Sequence, residues 1–370
     1  MAERGQYKFL SQQIIKEEYM RKLDDIHYSF REIDGYNKHI NFIISGRGPG
    51  KTTVFWVKKA YQAFKNNKGT TLVFRRKAIA ITEAYIKSIQ FIINEFVDPG
   101  AELTFKRSSL KDGVVLVYCG KDLFLNIIAL SIDANRAKSM IIPNLAYGVF
   151  DEFIINPKWG EKYLPDEVDK FLEIYNTYFR IDDFKAKMYF LGNPYTIYNP
   201  YFLYYGVNFN ELRPGNIQSG KTWVVQNYKM NPKLLEHMLE VNPLYQEDEE
   251  YRAYALEGKS VNDTNIRLGK MKNNYKLMHL ISIGKATIGI YRNFDFNNRD
   301  DSYYCEYFKN NNCNRDVFCF DFNDLMEGKV VYSRFESSRF EAFKNALRLN
   351  RVEFENPAVY NQIIEIYSYL

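Results

Sequence analysis

Three short stretches hold the residues whose types and spacing could do phosphate chemistry. Residues 45–52 read SGRGPGKT. Glycines at this spacing let backbone N–H groups converge on a phosphate, and a helix opening just after them adds unpaired N–H groups and a positive dipole end. The candidate loop is Ser45, Gly46, Arg47, Gly48, Pro49, Gly50, Lys51, Thr52 and Thr53. Lys51 would reach the β- and γ-phosphates of ATP, and the Thr52 hydroxyl would join a Mg²⁺ shell. Residues 145–153 read LAYGVFDEF, an apolar run ending in two carboxylates. Asp151 there would hold Mg²⁺ through its water shell, and Glu152 would polarise an attacking water. The bland reading of the pair is surface carboxylates at a strand end. A water-activating Glu separates this chain from nucleotide kinases, which need none. Finally, Asn193 follows the run KMYFLG, where it would bond a γ-phosphate or the attacking water, or else open an Asn-Pro turn.

These residues need elements to position them. Residues 39–44 (HINFII) read as a buried strand, and 53–65 (TVFWVKKAYQAFK) as a helix. Strand, Gly-rich turn and helix are the context in which a phosphate loop has meaning. The loop departs from the strict GxxxxGK[ST] pattern, because Ser45 stands at its first glycine. Residues 215–222 (GNIQSGKT) match that pattern in full, yet Arg213 and Pro214 precede them and the strand-like TWVVQNY follows. They read as a polar turn before a strand.

The rest of the ATPase domain is legible in outline. Residues 70–74 form a second strand ending in Arg75, Arg76 and Lys77, cations that face a ligand crevice or lie in a solvated turn. A helix is expected over 79–96 and a hairpin over 103–118. The basic tip of that hairpin, with Lys106, Arg107 and Lys111, suits a DNA backbone, as do Arg136 and Lys138 in the loop after the buried run 123–132. Residues 166–180 read as an amphipathic helix ending at Arg180, and 187–191 as a strand. Residues 6–30 read as one helix outside the nucleotide core. Tyr36 would stack on adenine or pack inside.

The chain has 370 residues, enough for more than one core. Hydrophobic residues make up 46% and charged residues 26%, a globular balance, and the net charge of +5 permits contact with nucleic acid without demonstrating it. Cys119, Cys305, Cys313 and Cys319 lack CxxC spacing, which argues for reduced thiols rather than zinc. The start MAERGQYKF does not read as a signal peptide, and no apolar run is long enough to span a bilayer. The expected division is a helical extension over 1–35, a P-loop ATPase domain over 36–215, a lid or linker over 216–263, and a smaller C-terminal α/β or α+β domain over 264–370.

The motifs SGRGPGKT, LAYGVFDEF and LGNP, followed by YKMNP and YRAYALEG, resemble the large-terminase class of viral DNA-packaging ATPases. GVFDEFI, YFR and LGNPYTIYNPYFL resemble in order and spacing the motors of small, short-tailed, protein-primed bacteriophages. The resemblance implies an ASCE-type α/β ATPase domain with a central, mostly parallel sheet. It implies a ring, a homopentamer, docked on the portal of a procapsid and importing double-stranded DNA, with no membrane partner. Such a protein works in the cytoplasm of the infected bacterium and is absent from the mature virion. Arg180 matches an arginine that acts in trans on a neighbour's ATP, and Arg47 one that contacts the γ-phosphate in cis. An ion pair with Asp182 or Asp183 is the plain alternative for Arg180. From 277 the pattern turns to strands, LMHLISIG and then ATIGIYR; the C-terminal domain would be RNase H-like, with ATIGIYRN corresponding to that fold's carboxylate-bearing first strand and placing Tyr291 and Asn293 where a metal-binding Asp is expected. Asp295, Asp300 and Asp301 fall in a polar turn, so no nuclease activity is expected. Two other classes stay open at this point: a P-loop helicase or other nucleic-acid-remodelling ATPase, and a non-catalytic nucleotide-dependent scaffold. Intact Lys51, Thr52, Asp151 and Glu152 argue against the scaffold.

Overall fold

Every residue of the strand β1 (Ile40–Ile44) is buried, as expected of a strand covered on both faces. The computed structural model describes residues 26–107, 113–132, 142, 144–156, 161–164, 166–195, 199–208, 211–257, 267–283, 286–293, 302–309, 315–319, 329–331, 339–348 and 351–366. Following β1 come β2 (Thr70–Arg75), β3 (Leu103–Arg107), β4 (Val114–Cys119), β5 (Asp122–Ala129), β6 (Leu145–Asp151), β7 (Lys187–Gly192), β8 (Ile217–Ser219) and β9 (Trp223–Asn227). They form one sheet in the order β3-β4-β5-β2-β6-β7-β1-β9-β8. From β5 to β9 all neighbours are parallel. The antiparallel pairs are β3–β4, β4–β5 and β8–β9. Strand β7 lies between β1 and β6, so a strand is inserted between the two motif-bearing ones, which is the ASCE arrangement.

Side chains alternate across this sheet. Ile40, Phe42 and Ile44 face one core with Phe150, Phe171, Phe190 and Tyr201, whereas Ile43 faces another with Phe55, Trp56, Val73 and Ile89. Gly148 in β6 is a packing requirement, since a Cβ there would lie 2.6 Å from both Met188 Sδ and Phe179 Cζ.

The helix after β1 begins at Lys51, earlier than its apolar periodicity indicates, and runs through Lys51–Val54, a π-helical stretch Phe55–Tyr61 and Gln62–Lys65. Helices Glu83–Phe96 and Glu167–Phe179 stand close to their expected limits. Among the described residues no helix is long and apolar enough to cross a membrane.

Three expectations change. The described end of the supposed helix over 6–30 is not helical, and a short helix follows at Arg31–Gly35; residues 6–25 lie outside the described residues. Tyr28, Phe30 and Ile33 are buried against Phe55 and Trp56, so this segment is part of the nucleotide core and not an extension outside it. Tyr36 is 41% exposed and joins neither core. Second, the boundary expected at 215/216 falls within the first sheet. Trp223–Asn227 pairs in parallel with β1, and residues 215–222 lie in the β8–β9 hairpin region with no helix after them. Chain contacts divide instead near Val261 and Asn262. Helices Pro232–Val241, Leu244–Glu247 and Glu249–Ala255 precede that division, with Pro243 between the first two.

Third, ATIGIYRN does not hold the place of the carboxylate-bearing first strand. That unit holds β10 (Tyr275–Ile283), β11 (Ala286–Asn293), β12 (Tyr303–Tyr307), β13 (Val317–Cys319), β14 (Lys329–Val331) and β15 (Val352–Phe354), in the order β14-β13-β10-β11-β12-β15. The apolar run LMHLIS belongs to the first strand and ATIGIYRN is the second. Strands β10, β11 and β12 form an antiparallel meander, while β13 runs parallel to β10, β14 to β13 and β15 to β12. Helices Glu341–Arg348 and Pro357–Ile366 supply Phe343, Ala346, Val359 and Ile363 to its core. Cys305 and Cys319 are buried free thiols there, and Cys119 is a half-buried one in the first unit.

A half-buried ion pair fastens the N-terminal segment to the phosphate-loop helix. Lys59 Nζ is paired with Asp34 and lies 5.2–5.5 Å from the ring centroids of Phe30, Tyr147 and Tyr189. Tyr189 OH donates to the other Asp34 oxygen at 2.6 Å. Burial pulls the Lys59 pKa down, opposed by Asp34. Asp34→Ala is therefore expected to cost roughly 1–3 kcal/mol by leaving buried donors unpaired. A lower melting temperature in a folded variant checks this, and an unchanged one would refute it.

Candidate active site

β1 feeds directly into the phosphate-loop candidate. Gly50, the residue before the helix, has φ +82°, a left-handed conformation that favours glycine. Gly46 is required by space, because a Cβ would meet the carbonyl oxygens of Ala255 and Leu256 at 2.6 and 2.7 Å. Ser45 is tolerated where the pattern calls for glycine, since it has no positive φ. Its buried hydroxyl donates to Gly46 O at 3.0 Å and its N–H to Gly192 O at 3.2 Å. Tyr28 N–H donates to Pro49 O at 2.8 Å, and Gly48 lies beside Met230 and Met238. Thr53 is half-buried in the first turn of the helix.

Parallel pairing of β1, β7 and β6 brings the three sequence motifs together. Lys51 Nζ donates to Asn193 Oδ1 at 2.6 Å. Thr52 Oγ1 donates to Asp151 Oδ1 at 3.3 Å. Burial lowers the Lys51 pKa to about 8, with Arg47 acting the same way and Asp151 and Glu152 opposing. Burial also raises Asp151 to about 6, helped by Glu152 and opposed by Lys51, Arg75 and the Thr52 hydroxyl.

Glu152 is exposed at the C-terminal end of β6 and has φ +61°, a rare conformation for a residue other than glycine. Its N–H donates to Leu191 O at 2.8 Å. Its carboxylate lies 3.4 Å from Arg75 Nη2, and the Arg75 guanidinium sits 4.5 Å above the Tyr85 ring. The neighbouring Arg76 turns inward to a buried carboxylate, Glu167, at 2.8 Å. Sequence marked both arginines as strand-end cations. Glu167 it missed, because nothing local distinguishes that residue from the other acids opening its helix.

The remaining candidates lie differently. Arg47 is exposed and its Nη2 donates to Tyr195 OH at 3.1 Å, while its backbone N–H donates to Ala255 O. Arg180 is exposed just past the helix Glu167–Phe179, on a surface shared with Glu173, Asn176 and Thr177. Among the described residues no ion pair joins it to Asp183 or hydrogen bond to the cluster around Lys51. Lys106 and Arg107 are exposed on β3, at the far edge of the sheet, with Lys106 over the Tyr118 ring at 5.4 Å and Arg107 donating to Ile81 O at 3.3 Å. Lys111, Arg136 and Lys138 lie outside the described residues.

Residues 22–368 match the family described as Podovirus DNA encapsidation protein (Gp16). The chain belongs to this family. A DNA packaging protein of Bacillus phage B103 is 23% identical over 331 residues, 87% of this chain and 94% of its relative. The DNA packaging protein of Bacillus phage phi29 is 30% identical over 182 residues, covering 49% of this chain and 50% of that one. Among solved structures, the phage Phi-28 gp11 DNA packaging motor superposes with a TM-score of 0.67 at 18% identity, covering 93% of this chain and 98% of the other. The bacteriophage Phi-29 genome packaging motor assembly gives 0.64 at 20%, covering 93% and 99%. The fold is thus shared along nearly the whole chain of this DNA encapsidation protein, second sheet included.

The two perturbed groups have opposite linkage. Asp151 is raised in the folded state, so its stabilising contribution is complete below about pH 4 and is lost as pH rises through about 6. Asp151→Asn is accordingly expected to gain on the wild type by roughly 2 kcal/mol between those limits. Melting curves of the two nucleotide-free proteins across pH 4–7 check the sign; a gap that stays constant would contradict it.

Proposed function

We infer that this protein is the ATP-hydrolysing motor that moves double-stranded viral DNA into a preformed capsid. The observation that carries the reading is the convergence of Lys51, Thr52, Asp151 and Asn193 at one end of a parallel sheet, in a chain of a DNA-encapsidation family. Loop residues 45–53 would cradle the ATP phosphates, with Lys51 reaching the β- and γ-phosphates. The hydroxyl of Thr52 and the carboxylate of Asp151 are an oxygen donor set suited to magnesium, which would neutralise phosphate charge when bound. Glu152 takes the proton of the attacking water as general base. Asn193 and Arg47 face the terminal phosphate.

The other assignments are extensions of the same reading. Subunits assemble as a pentameric ring on the portal of the procapsid, in the cytoplasm of an infected bacterium, and do not remain in the mature virion. The helices over 232–255 act as a lid on the phosphate loop, supported by the contacts of Ala255 with Arg47 and of Met238 with Gly48. Lys106, Arg107, Lys111, Arg136 and Lys138 contact DNA. The second unit is RNase H-like, supported by its antiparallel meander continued by two parallel strands. It lacks nuclease activity: the leading strand Tyr275–Ile283 has no carboxylate, and Asn293 is bonded to Asn274 and Ser302.

ATP-dependent DNA uptake by portal-bearing capsids tests the motor reading. The wild type should protect DNA from added nuclease without cutting it itself, even with manganese. Lys51→Ala should bind ATP weakly, and Glu152→Gln should bind it normally but turn over at least about a hundredfold more slowly. Uptake without ATP, or with either variant, would sink the assignment.

Arg180 is assigned to a neighbour's site, since an edge arginine suits transition-state phosphate charge and such a finger supplies about 10³–10⁵ in rate in other NTPases. Mixing Arg180→Ala with Glu152→Gln subunits, each inactive alone, should restore part of the ATPase activity. Activity at background in the mixture would exclude action in trans.

A further inference from the structure

The fork of Arg76 meets four acceptor oxygens at once. Its Nε faces both Glu167 oxygens, at 2.8 and 3.1 Å. Its Nη1 donates to Glu152 O at 3.3 Å and its Nη2 to Phe153 O at 2.6 Å. The Glu167 side chain is 1% exposed, and it also accepts from Tyr201 OH at 3.0 Å and Leu164 N–H at 2.8 Å. Both members of this pair are therefore multiply bonded, as a buried ion pair must be to persist. The Arg76 side chain is 13% exposed and packed against Phe150 and Tyr163. Burial weakens the cation, but Glu167 more than restores it, and the Arg76 pKa lies above its ordinary value.

What the fork grips is the turn that carries Glu152. A left-handed conformation at a Glu costs of order 1–3 kcal/mol and persists only where surrounding contacts over-determine it. Two consecutive carbonyls, those of Glu152 and Phe153, are bonded to one rigid guanidinium. We propose that Arg76, anchored by Glu167, is the positioning residue that holds the Glu152 turn in its left-handed form and so aims the general base. Resting on the assignment of Glu152 as that base, the proposal adds a reason for its orientation. The anchor sits in the first turn of the helix Glu167–Phe179, so the turn is tied to the helix that leads to Arg180. A lysine at 76 could meet Glu167 but lacks the planar fork that spans both carbonyls.

Arg76→Ala would leave Glu167 buried and unpaired and could unfold the protein. The test therefore uses the full chain with Arg76→Lys, and with the neutral pair Arg76→Gln/Glu167→Gln, beside Glu152→Gln. Melting temperature, affinity for a fluorescent ATP analogue and turnover at saturating ATP are measured for each. Arg76→Lys and the neutral pair are expected to stay folded, bind the analogue within about threefold of wild type, and turn over at least about tenfold more slowly, since a well-placed base supplies roughly 10²–10⁴ in rate. Wild-type turnover in Arg76→Lys, with Glu152→Gln inactive, would overturn the positioning role. A fall in affinity as large as the fall in turnover would overturn it too, because that marks general damage to the fold. If Glu152→Gln itself turns over normally, the assignment of the base fails first, and the proposal with it.

Discussion

A lysine ammonium in the protein interior is the constraint on which the first unit depends. Lys51 is 8% exposed, and the bond from its Nζ to Asn193 fixes where β7 must end relative to β1. Desolvating an ammonium is costly unless nearby groups compensate, so Asn193 and the carboxylates of Asp151 and Glu152 must lie close by. Parallel register brings them there: Ile44 pairs with Gly192, and Asp151 with Leu191. The same register puts Thr52 beside Asp151. An apolar sheet built of aromatic and β-branched residues thus delivers its polar groups to one end, where phosphate and water can reach them.

The depressed lysine and the elevated aspartate describe a site made for a guest. Burial disfavours the charged form of each. ATP phosphates beside Lys51 would favour its ammonium form, which would link occupancy of the site to stability of the fold.

Local grammar is enough to place the motif-bearing stretches. The run HINFII, the three glycines and the apolar stretch ahead of Asp151 each state their structure within a dozen residues, and the structure joins them as expected. What could not be read depends on distant partners. Arg76 and Glu167 are 91 positions apart, and nothing near either names the other. The hairpin of β8 and β9 looked like a boundary because it is polar and glycine-rich, yet its second strand lies beside β1. The strand LMHLISI is legible ahead of ATIGIYRN, but its pairing between β13 and β11 is not, since strand order follows from long-range pairing and not from composition. Tyr28 and Phe30 were hidden for a similar reason: their burial depends on rings contributed by the phosphate-loop helix.

The π-helical stretch Phe55–Tyr61 bears on how this helix could have changed over time. A π segment accommodates one residue more than an α-helix of the same rise. Losing that residue would restore ordinary α spacing and leave the residues beyond it nearly in their present phase. At one end the helix is held by Lys51 in the phosphate loop. At the other, Tyr61 and Phe64 pack against Phe124 at 5.7 and 5.1 Å. A single-codon deletion inside the π stretch would therefore leave both anchors in reach of their partners, the phosphate loop and the Phe124 ring of β5. The helix has a residue to spare between two fixed ends.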